Sequence, residues 1–560
     1  MDINGFYKNY LNIAAPYEHQ IKMWEIIEKG KYPILLKAPT GSGKTEAVIA
    51  PFLAQFVKNK FFVAPRLIYV LPMRVLVNSI ADRISRYANK VSKNILVELQ
   101  HGVSPNDPFF IADIVVTTLD QFIYAYARAS GQVGHHLDIP AGAIASSIVV
   151  FDEAHMYRDE FTFSIMRAMF EILYKANIPF IVMTATMPKS LEGSLFENIK
   201  LGENQKIISK GLSLNNQIDI HFEKEPIYKD NEVNISGSLL DKIKNKKTLI
   251  VLNQVKRAQY IYEELRKQLN MDDGIVLLHS RFTVKDKRKH EMRAIKLLKD
   301  EKRGVVITTQ VLEAGMDFSA ELLLTELAPA DSLVQRAGRC ARYGNEKGEM
   351  IIFPAEDNDN KGYLPYEKNH LERTKKWLEE NRNFNIKDFS EVYKFVDILD
   401  YKADDYAARD SLIDLYESVL YADSKPQNIQ VRESKPTTIL IVDFSLGIDN
   451  IKKRQSKKDI IISAIINSIK KDEAYIKNNS INVDVSLAWN LFKKQVIRWE
   501  LLWKYNEDKK KHEIDIRDLV GNKKNVEEKD IRIGPFRTYI IKSTNYDSLK
   551  GIVADESSFI

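Results

Sequence analysis

Short runs built almost wholly of branched and aromatic residues dominate the first third of the chain. They are Pro33–Lys37, Leu67–Leu71, Asp113–Thr117, Ser147–Phe151 and Phe180–Met183. A strand with one wet face alternates apolar and polar residues. These runs do not, so both of their faces must be covered. Helix-like segments separate them, and strands alternating with helices argue for a parallel sheet in an α/β fold. A polar, less patterned stretch follows, from about Asn198 to Glu232, and the pattern then restarts. Thr248–Leu252, Gly274–Leu278, Gly304–Thr308 and Glu321–Leu324 are the new strands, with closure near Met350–Phe353. The chain therefore reads as two α/β domains in tandem.

The texture changes beyond Pro365. Residues 366–383 and 404–421 read as amphipathic helices, with Leu371 and Leu378, then Leu412, Leu415 and Leu420, on one side. Strand-like runs at Thr438–Phe444 and Thr538–Ile541 predict a small mixed C-terminal domain, and the charged region Lys509–Lys529 predicts a solvated loop or exposed helix. The expected division is 1–212, 213–360, a helical linker over 361–430, and 431–560. The charge balance, 82 basic against 76 acidic residues for a net +6, fits a polyanionic partner but does not establish one. The single cysteine, Cys340, forbids an internal disulfide and favours a reducing cytoplasm. No signal peptide is expected from Met1-Asp2-Ile3-Asn4, and no apolar run reaches the ~18 residues of a membrane span, so no membrane partner is expected.

Ala38-Pro-Thr-Gly-Ser-Gly-Lys-Thr45 follows a predicted strand and opens a predicted helix. Backbone N–H groups at a helix N-terminus make an anion nest, Lys44 can reach the β/γ-phosphates, and the Thr45 hydroxyl can ligate Mg²⁺. The strict phosphate-loop pattern has Gly where Ala38 stands, so this is a variant. Asp152-Glu-Ala-His155 sits directly after a strand, at the end where parallel sheets bind ligands. Asp152 can hold the metal's water shell, Glu153 can orient and deprotonate an attacking water, and His155 can sense the γ-phosphate or the neighbouring domain. Gln335-Arg-Ala-Gly-Arg-Cys-Ala-Arg342 spaces arginines three apart, on nearly one helical face, so Arg339 and Arg342 are candidate arginine fingers.

In this order, Thr40–Thr45, Asp152–His155, Thr184-Ala-Thr186 and Gln335–Arg342 resemble motifs I, II, III and VI of superfamily 2 helicases. Gln20 upstream is similar to the adenine-reading glutamine of that superfamily. A narrower resemblance is to the CRISPR-associated helicase of type I interference systems. It is carried by Thr117-Thr-Leu-Asp-Gln121, Leu277-Leu-His-Ser-Arg-Phe282, Thr309-Gln-Val-Leu-Glu-Ala-Gly-Met-Asp317 and, less specifically, by Tyr546-Asp-Ser-Leu-Lys-Gly-Ile-Val553.

The resemblance implies two RecA-like domains, a linker helix and a C-terminal domain. It implies ATP and Mg²⁺ as cofactors, with ATP bound between the two α/β domains by Gln20, Thr40, Gly41, Ser42, Gly43, Lys44, Thr45, Glu46, Gly315, Asp317 and Gln335. Lys44, Asp152, Glu153, Arg339 and Arg342 are the implied catalytic residues, and Thr45 and Asp152 the implied metal partners. His155, Thr184, Thr186 and Glu313 are the implied coupling residues. Arg74, Thr117, Thr118, Gln254, Arg281, Thr308 and Thr309 are the implied contacts to single-stranded DNA, mostly to its phosphates, which carry little sequence information.

The same resemblance implies movement 3′ to 5′ after recruitment by an RNA-guided surveillance complex. The family's nuclease domain uses a His-Asp pair. No adjacent pair of that kind occurs in this sequence, so a separate nuclease subunit is expected. The alternatives are a superfamily 2 RNA helicase and an ATP-gated nucleic-acid-binding recruitment factor that does not unwind. Lys452–Lys458 reads as a solvated basic run, His135-His136 as a loop pair, Cys340 as a small packed residue, and Trp489, Trp499 and Trp503 as core.

Overall fold

The full-apolar runs lie where burial on both faces demands, inside an eight-stranded sheet. Across that sheet the strands are Ser104–Pro105, Val97–His101, Ile114–Thr118, Arg66–Leu71, Ser147–Phe151, Phe180–Thr184, Ile34–Lys37 and Lys206–Ile208. Only the Ser104–Pro105 edge is antiparallel to its neighbour. Every residue of Ile114–Thr118, Ser147–Phe151 and Phe180–Thr184 is buried, which accounts for their lack of alternation.

The structure is a computed structural model. It describes all residues except 1, 40, 103, 158, 210–216, 231, 271–272, 313–317, 344–345, 356–361, 422–428, 433–435, 448–455, 507–510, 521–532 and 553–560. The chain divides into two compact units, one of residues 1–217, 329–338 and 369–433, the other of 218–328, 339–368 and 434–560. No described helix is long and apolar enough to cross a membrane.

Besides two two-stranded ribbons, Tyr228–Lys229 with Glu232–Val233 and Tyr546–Asp547 with Gly551–Ile552, the second unit holds two main sheets. The larger runs Ile275–Leu278, Gly304–Thr308, Lys247–Val251, Leu322–Glu326, Lys347–Phe353 and Gln217–Phe222, and its first five strands are mutually parallel. The smaller runs Ser480–Asp484, Pro436–Val442, Thr538–Lys542, Trp499–Asn506 and Lys511–Asp518. It is mixed: Pro436–Val442 and Thr538–Lys542 pair in parallel and the other neighbours are antiparallel.

Several expectations need correction. The polar stretch 198–232 contains the strands Lys206–Ile208 and Gln217–Phe222, each mostly exposed because it lies at a sheet edge, and the two-residue strand Tyr228–Lys229. The charged region 509–529 contains the strand Lys511–Asp518. There Ile514 and Ile516 face an apolar cluster while charged residues occupy the alternate positions. The two predicted helices occupy Lys368–Glu380 and Arg409–Tyr421, with a further helix at Phe389–Val396. Leu371 and Leu415 are buried, but Leu420 is 60% exposed and so leaves the expected stripe. Trp499 is buried and Trp489 packs beside the C-terminal core, whereas Trp503 is 56% exposed. Of the basic run, residues 452–455 lie outside the described residues.

Cys340 is fully buried beside Gly348, and a Cβ added to that glycine would come within 2.6 Å of Sγ. Only glycine lets the two segments approach this closely.

Candidate nucleotide and nucleic-acid site

Three adjacent strands of the first sheet end together. Ile34–Lys37 leads into the glycine-rich loop, Phe180–Thr184 into Thr184-Ala-Thr186, and Ser147–Phe151 into Asp152–His155. Within the loop, Gly41 and Gly43 adopt φ of +82° and +75°. Gly43 caps the helix Lys44–Lys58, and a Cβ there would meet Gln20 Nε2 at 2.4 Å. Gln20 braces this loop: its Nε2 donates to the Gly43 carbonyl at 2.9 Å and its Oε1 accepts from the Tyr17 N–H at 2.8 Å. His19 Nε2 lies 3.0 Å from the Ser42 carbonyl, and burial is the leading cause that lowers its pKa. Thr40 lies outside the described residues.

Lys44 Nζ rests 3.3 and 3.4 Å from the Ala38 and Pro39 carbonyls and 4.0 Å from Glu153 Oε1. It therefore points across the loop to the acidic pair. Glu46, expected near the nucleotide, is buried instead beside the helix Arg74–Val91. Its Oε1 accepts from Tyr87 Oη at 2.8 Å and from Arg83 Nη2 at 2.5 Å.

Asp152 is buried. Its Oδ1 accepts from the Glu153 N–H at 2.8 Å and its Oδ2 from Tyr69 Oη at 2.6 Å. Burial first, then the adjacent Glu153 charge, raises its pKa, while Lys44 opposes the shift. Glu153 holds a left-handed backbone, φ +52°. Such a turn strains a non-glycine residue, and strain of this kind clusters at functional sites. His155 Nδ1 lies 3.0 Å from Thr184 Oγ1 and 3.5 Å from Glu153 Oε2, so it joins the acidic motif to the third motif. Among the described residues, the buried Ser42 Oγ and Thr186 Oγ1 have no hydrogen-bond partner, and both belong to these same loops.

The oxygen donors Thr45 Oγ1 and Asp152 Oδ2 both lie against the Tyr69 hydroxyl, Thr45 Oγ1 at 3.3 Å. Hard oxygen donors of this kind, one of them anionic, suit Mg²⁺.

Tyr69 is the one of these residues that the sequence reading missed. Its signal was a single phenol within the otherwise aliphatic run Leu67–Leu71.

The arginine motif departs from the expected helical face. Its helix spans Ala330–Ala337 and closes at Gly338. The chain then extends: Ala320 N–H donates to the Arg339 carbonyl at 2.9 Å, Ala341 N–H donates to the Ala320 carbonyl at 3.0 Å, and Ala341 takes φ +44°. Gln335 therefore lies on the helix, while Arg339 and Arg342 lie on the extended segment. Arg339 is buried and Arg342 half-buried, and the Arg342 N–H donates to Ser319 Oγ at 2.9 Å. Glu313, Gly315 and Asp317 lie outside the described residues.

The candidate nucleic-acid contacts mark the starts of helices and the C-terminal ends of strands. Arg74 opens the helix Arg74–Val91 with its side chain over Gly102. Thr118 caps the helix Leu119–Tyr126, and Gln254 caps Val255–Leu269. The Thr117 hydroxyl donates to the Gln100 carbonyl at 2.7 Å, and the Thr308 hydroxyl to the Thr309 carbonyl at 3.1 Å. Thr309 is buried. The threonine hydroxyls of positions 117 and 308 thus serve the sheet ends.

His279 is likewise internal. Its Nε2 donates to the Lys550 carbonyl at 2.9 Å and its Nδ1 accepts from the Arg281 N–H at 3.1 Å. The Arg281 carbonyl in turn accepts from the Ile552 N–H at 3.3 Å. The C-terminal Tyr546–Ile552 segment therefore lies directly on the Leu277–Phe282 motif.

Residues 17–193 match the DEAD/DEAH box helicase family, and residues 244–345 match the C-terminal family of the CRISPR-associated nuclease/helicase Cas3. The chain is 32% identical to the CRISPR-associated helicase Cas3 of Thermoproteus tenax over 378 residues, which cover 64% of this chain and 62% of that protein. It thus spans less than two thirds of that relative's length. The T. fusca Cas3-AMPPNP crystal structure aligns at a TM-score of 0.62 and 18% identity, covering 86% of this chain and 65% of that one. A chain of a CRISPR RNA-guided surveillance complex, pre-nicking, aligns at 0.59 and 17%, covering 96% and 70%. At such identities the two structures speak to the fold, which they share.

Proposed function

This chain belongs to the CRISPR-associated superfamily 2 helicases, and we propose that it is an ATP-driven translocase that unwinds target DNA in type I interference. The observation that carries the reading is the convergence of Lys44, Asp152, Glu153, His155 and Thr184 at the ends of three neighbouring strands. In this proposal residues 1–212 and 213–360 are the RecA-like motor domains, 361–430 the linker and 431–560 an accessory domain.

Lys44 and the loop N–H groups bind the β/γ-phosphates. Thr45 and Asp152 hold Mg²⁺, which when bound neutralises phosphate charge. Glu153 orients the attacking water and accepts its proton. Arg339 and Arg342 supply positive charge to the transferred phosphoryl group, as phosphoryl transfer requires. His155 and Thr184 pass the state of the acidic motif to the third motif. Arg74, Thr118, Gln254 and Arg281 engage the single strand, with backbone groups near Thr117, Thr308 and Thr309.

The proposed polarity is 3′ to 5′ and the proposed partner is an RNA-guided surveillance complex, in line with the structural likeness to a chain of such an assembly. The proposed place of action is the cytoplasm, and cutting falls to a separate His-Asp nuclease subunit. ATP turnover stimulated by single-stranded DNA and abolished in Lys44→Ala is the expected result. Turnover that ignores DNA and rises strongly with RNA overturns it in favour of an RNA helicase.

A further inference from the structure

Tyr69 is fully buried in the strand Arg66–Leu71, hydrogen-bonded alongside Ser147–Phe151 in a register that pairs Tyr69 with Val150. That register brings its phenol toward Asp152, two residues further along. A buried phenol costs desolvation energy unless its hydroxyl finds partners. Tyr69 finds two: Asp152 Oδ2 at 2.6 Å and Thr45 Oγ1 at 3.3 Å.

The proton inventory fixes the direction of both bonds. A phenol has one hydrogen, and the carboxylate can only accept it. Tyr69 therefore donates to Asp152, so Thr45 must donate to Tyr69. This leaves the Thr45 oxygen lone pairs free of any donor from Tyr69, and it fixes the Asp152 carboxylate in one orientation. Both are what a cation needs from a hydroxyl and a carboxylate.

We infer that Tyr69 is a positioning residue for the metal pair, holding Thr45 and Asp152 in the arrangement that receives Mg²⁺ beside a nucleotide. The inference rests on the ATP·Mg²⁺ reading of the site. In this role Tyr69 need touch neither nucleotide nor metal. It acts as outer-shell partners do, by orienting the groups that do touch them.

Binding of a fluorescent ADP analogue to the full chain, in EDTA and across a Mg²⁺ series, tests it. Tyr69→Phe keeps the ring and removes the hydroxyl. Its affinity in EDTA should match the parent within about twofold, while its half-saturating Mg²⁺ concentration rises about tenfold. In an Asp152→Ala background, Tyr69→Phe should add no further loss. An unchanged Mg²⁺ requirement at unchanged melting temperature overturns the inference, and so does an equal loss of affinity with and without metal.

A second measurement does not depend on the variant folding. The ¹⁹F resonance of 3-fluorotyrosine at position 69 should shift on adding Mg²⁺ with ADP and not with ADP alone, and an identical response to both overturns the inference. A parent chain that binds nucleotide with no Mg²⁺ dependence overturns the underlying reading as well. A Mg²⁺-dependent parent with an insensitive Tyr69→Phe overturns this inference only.

Discussion

Tyr546 Oη donates to Asp286 Oδ2 at 2.8 Å, joining the C-terminal segment to the helix Val284–Lys299 of the second α/β domain. The same oxygen accepts from the Thr283 N–H at 3.1 Å, at the helix N-cap. Tyr546→Phe removes both bonds, one of them to a carboxylate, at a cost of about 1–3 kcal/mol in all. Hydrogen exchange at the Ile552 amide should quicken at least about fivefold, while amides of Ile275–Leu278 stay protected.

Gly551 tightens the same contact. Its φ is +83°, and a Cβ would lie 2.6 Å from the Arg281 carbonyl oxygen and 2.7 Å from His279 Cε1. Gly551→Ala adds backbone strain of about 1–3 kcal/mol to that clash. Limited proteolysis should cut the segment faster in Gly551→Ala than in Tyr546→Phe. Equal or slower cutting would falsify the close-approach account.

The contact should also loosen in acid. Burial first, then the Arg281, His290 and Lys287 charges, push His279 down to about 3. The Lys550 carbonyl opposes this shift. The folded pKa is depressed below the unfolded value, so the stabilisation is complete above pH ~6.5 and falls as pH drops toward the folded pKa. The slope is about 1.4 kcal/mol per pH unit across that window. Ile552 amide exchange measured at pH 7 and 5.5 should show this loss in the parent. His279→Gln, which can still donate but does not titrate, should show a much flatter dependence.

Arg257 and Glu326 form a buried ion pair at 2.8 Å beneath the second sheet's strand ends. Glu326 Oε2 also accepts from the Asn253 N–H at 2.6 Å. Arg257→Ala strands a carboxylate in the interior and should cost about 3–5 kcal/mol. Urea unfolding followed by the second unit's amides checks this. A loss below about 1 kcal/mol, the level of an exposed pair, would contradict the burial argument.

Glu153→Gln keeps the size and hydrogen-bonding capacity of the side chain but cannot take a proton. ATP turnover should fall about 10²–10⁴-fold, with nucleotide affinity retained. Stopped-flow binding alongside steady-state turnover separates the two effects. Loss of binding in step with turnover would make Glu153 a binding residue.

The elements with a strong one-dimensional signal were legible without coordinates. Ser147–Phe151 and Gly304–Thr308 were bounded to the residue because central parallel strands have no polar face to confuse them. Lys206–Ile208 and Gln217–Phe222 escaped because each of these edge strands keeps only one buried position. Lys511–Asp518 hid its period of two beneath its charge, with Ile514 and Ile516 as the only apolar marks. The phosphate loop and acidic box were readable as motifs because their chemistry depends on contiguous residues. Tyr69 is different. Its role arises from a register between two strands about eighty residues apart, which no local pattern encodes.

The close packing of Cys340 against Gly348 has a practical consequence for labelling the chain. The protein's one thiol is sealed inside the arginine motif, where a maleimide dye cannot reach it and a buried thiol is inert. A cysteine placed at an exposed site, such as Met292→Cys at a position 72% exposed, becomes the sole reactive handle without altering the native sulfur. A dye placed there reports on the helix Val284–Lys299 in an otherwise unmodified chain.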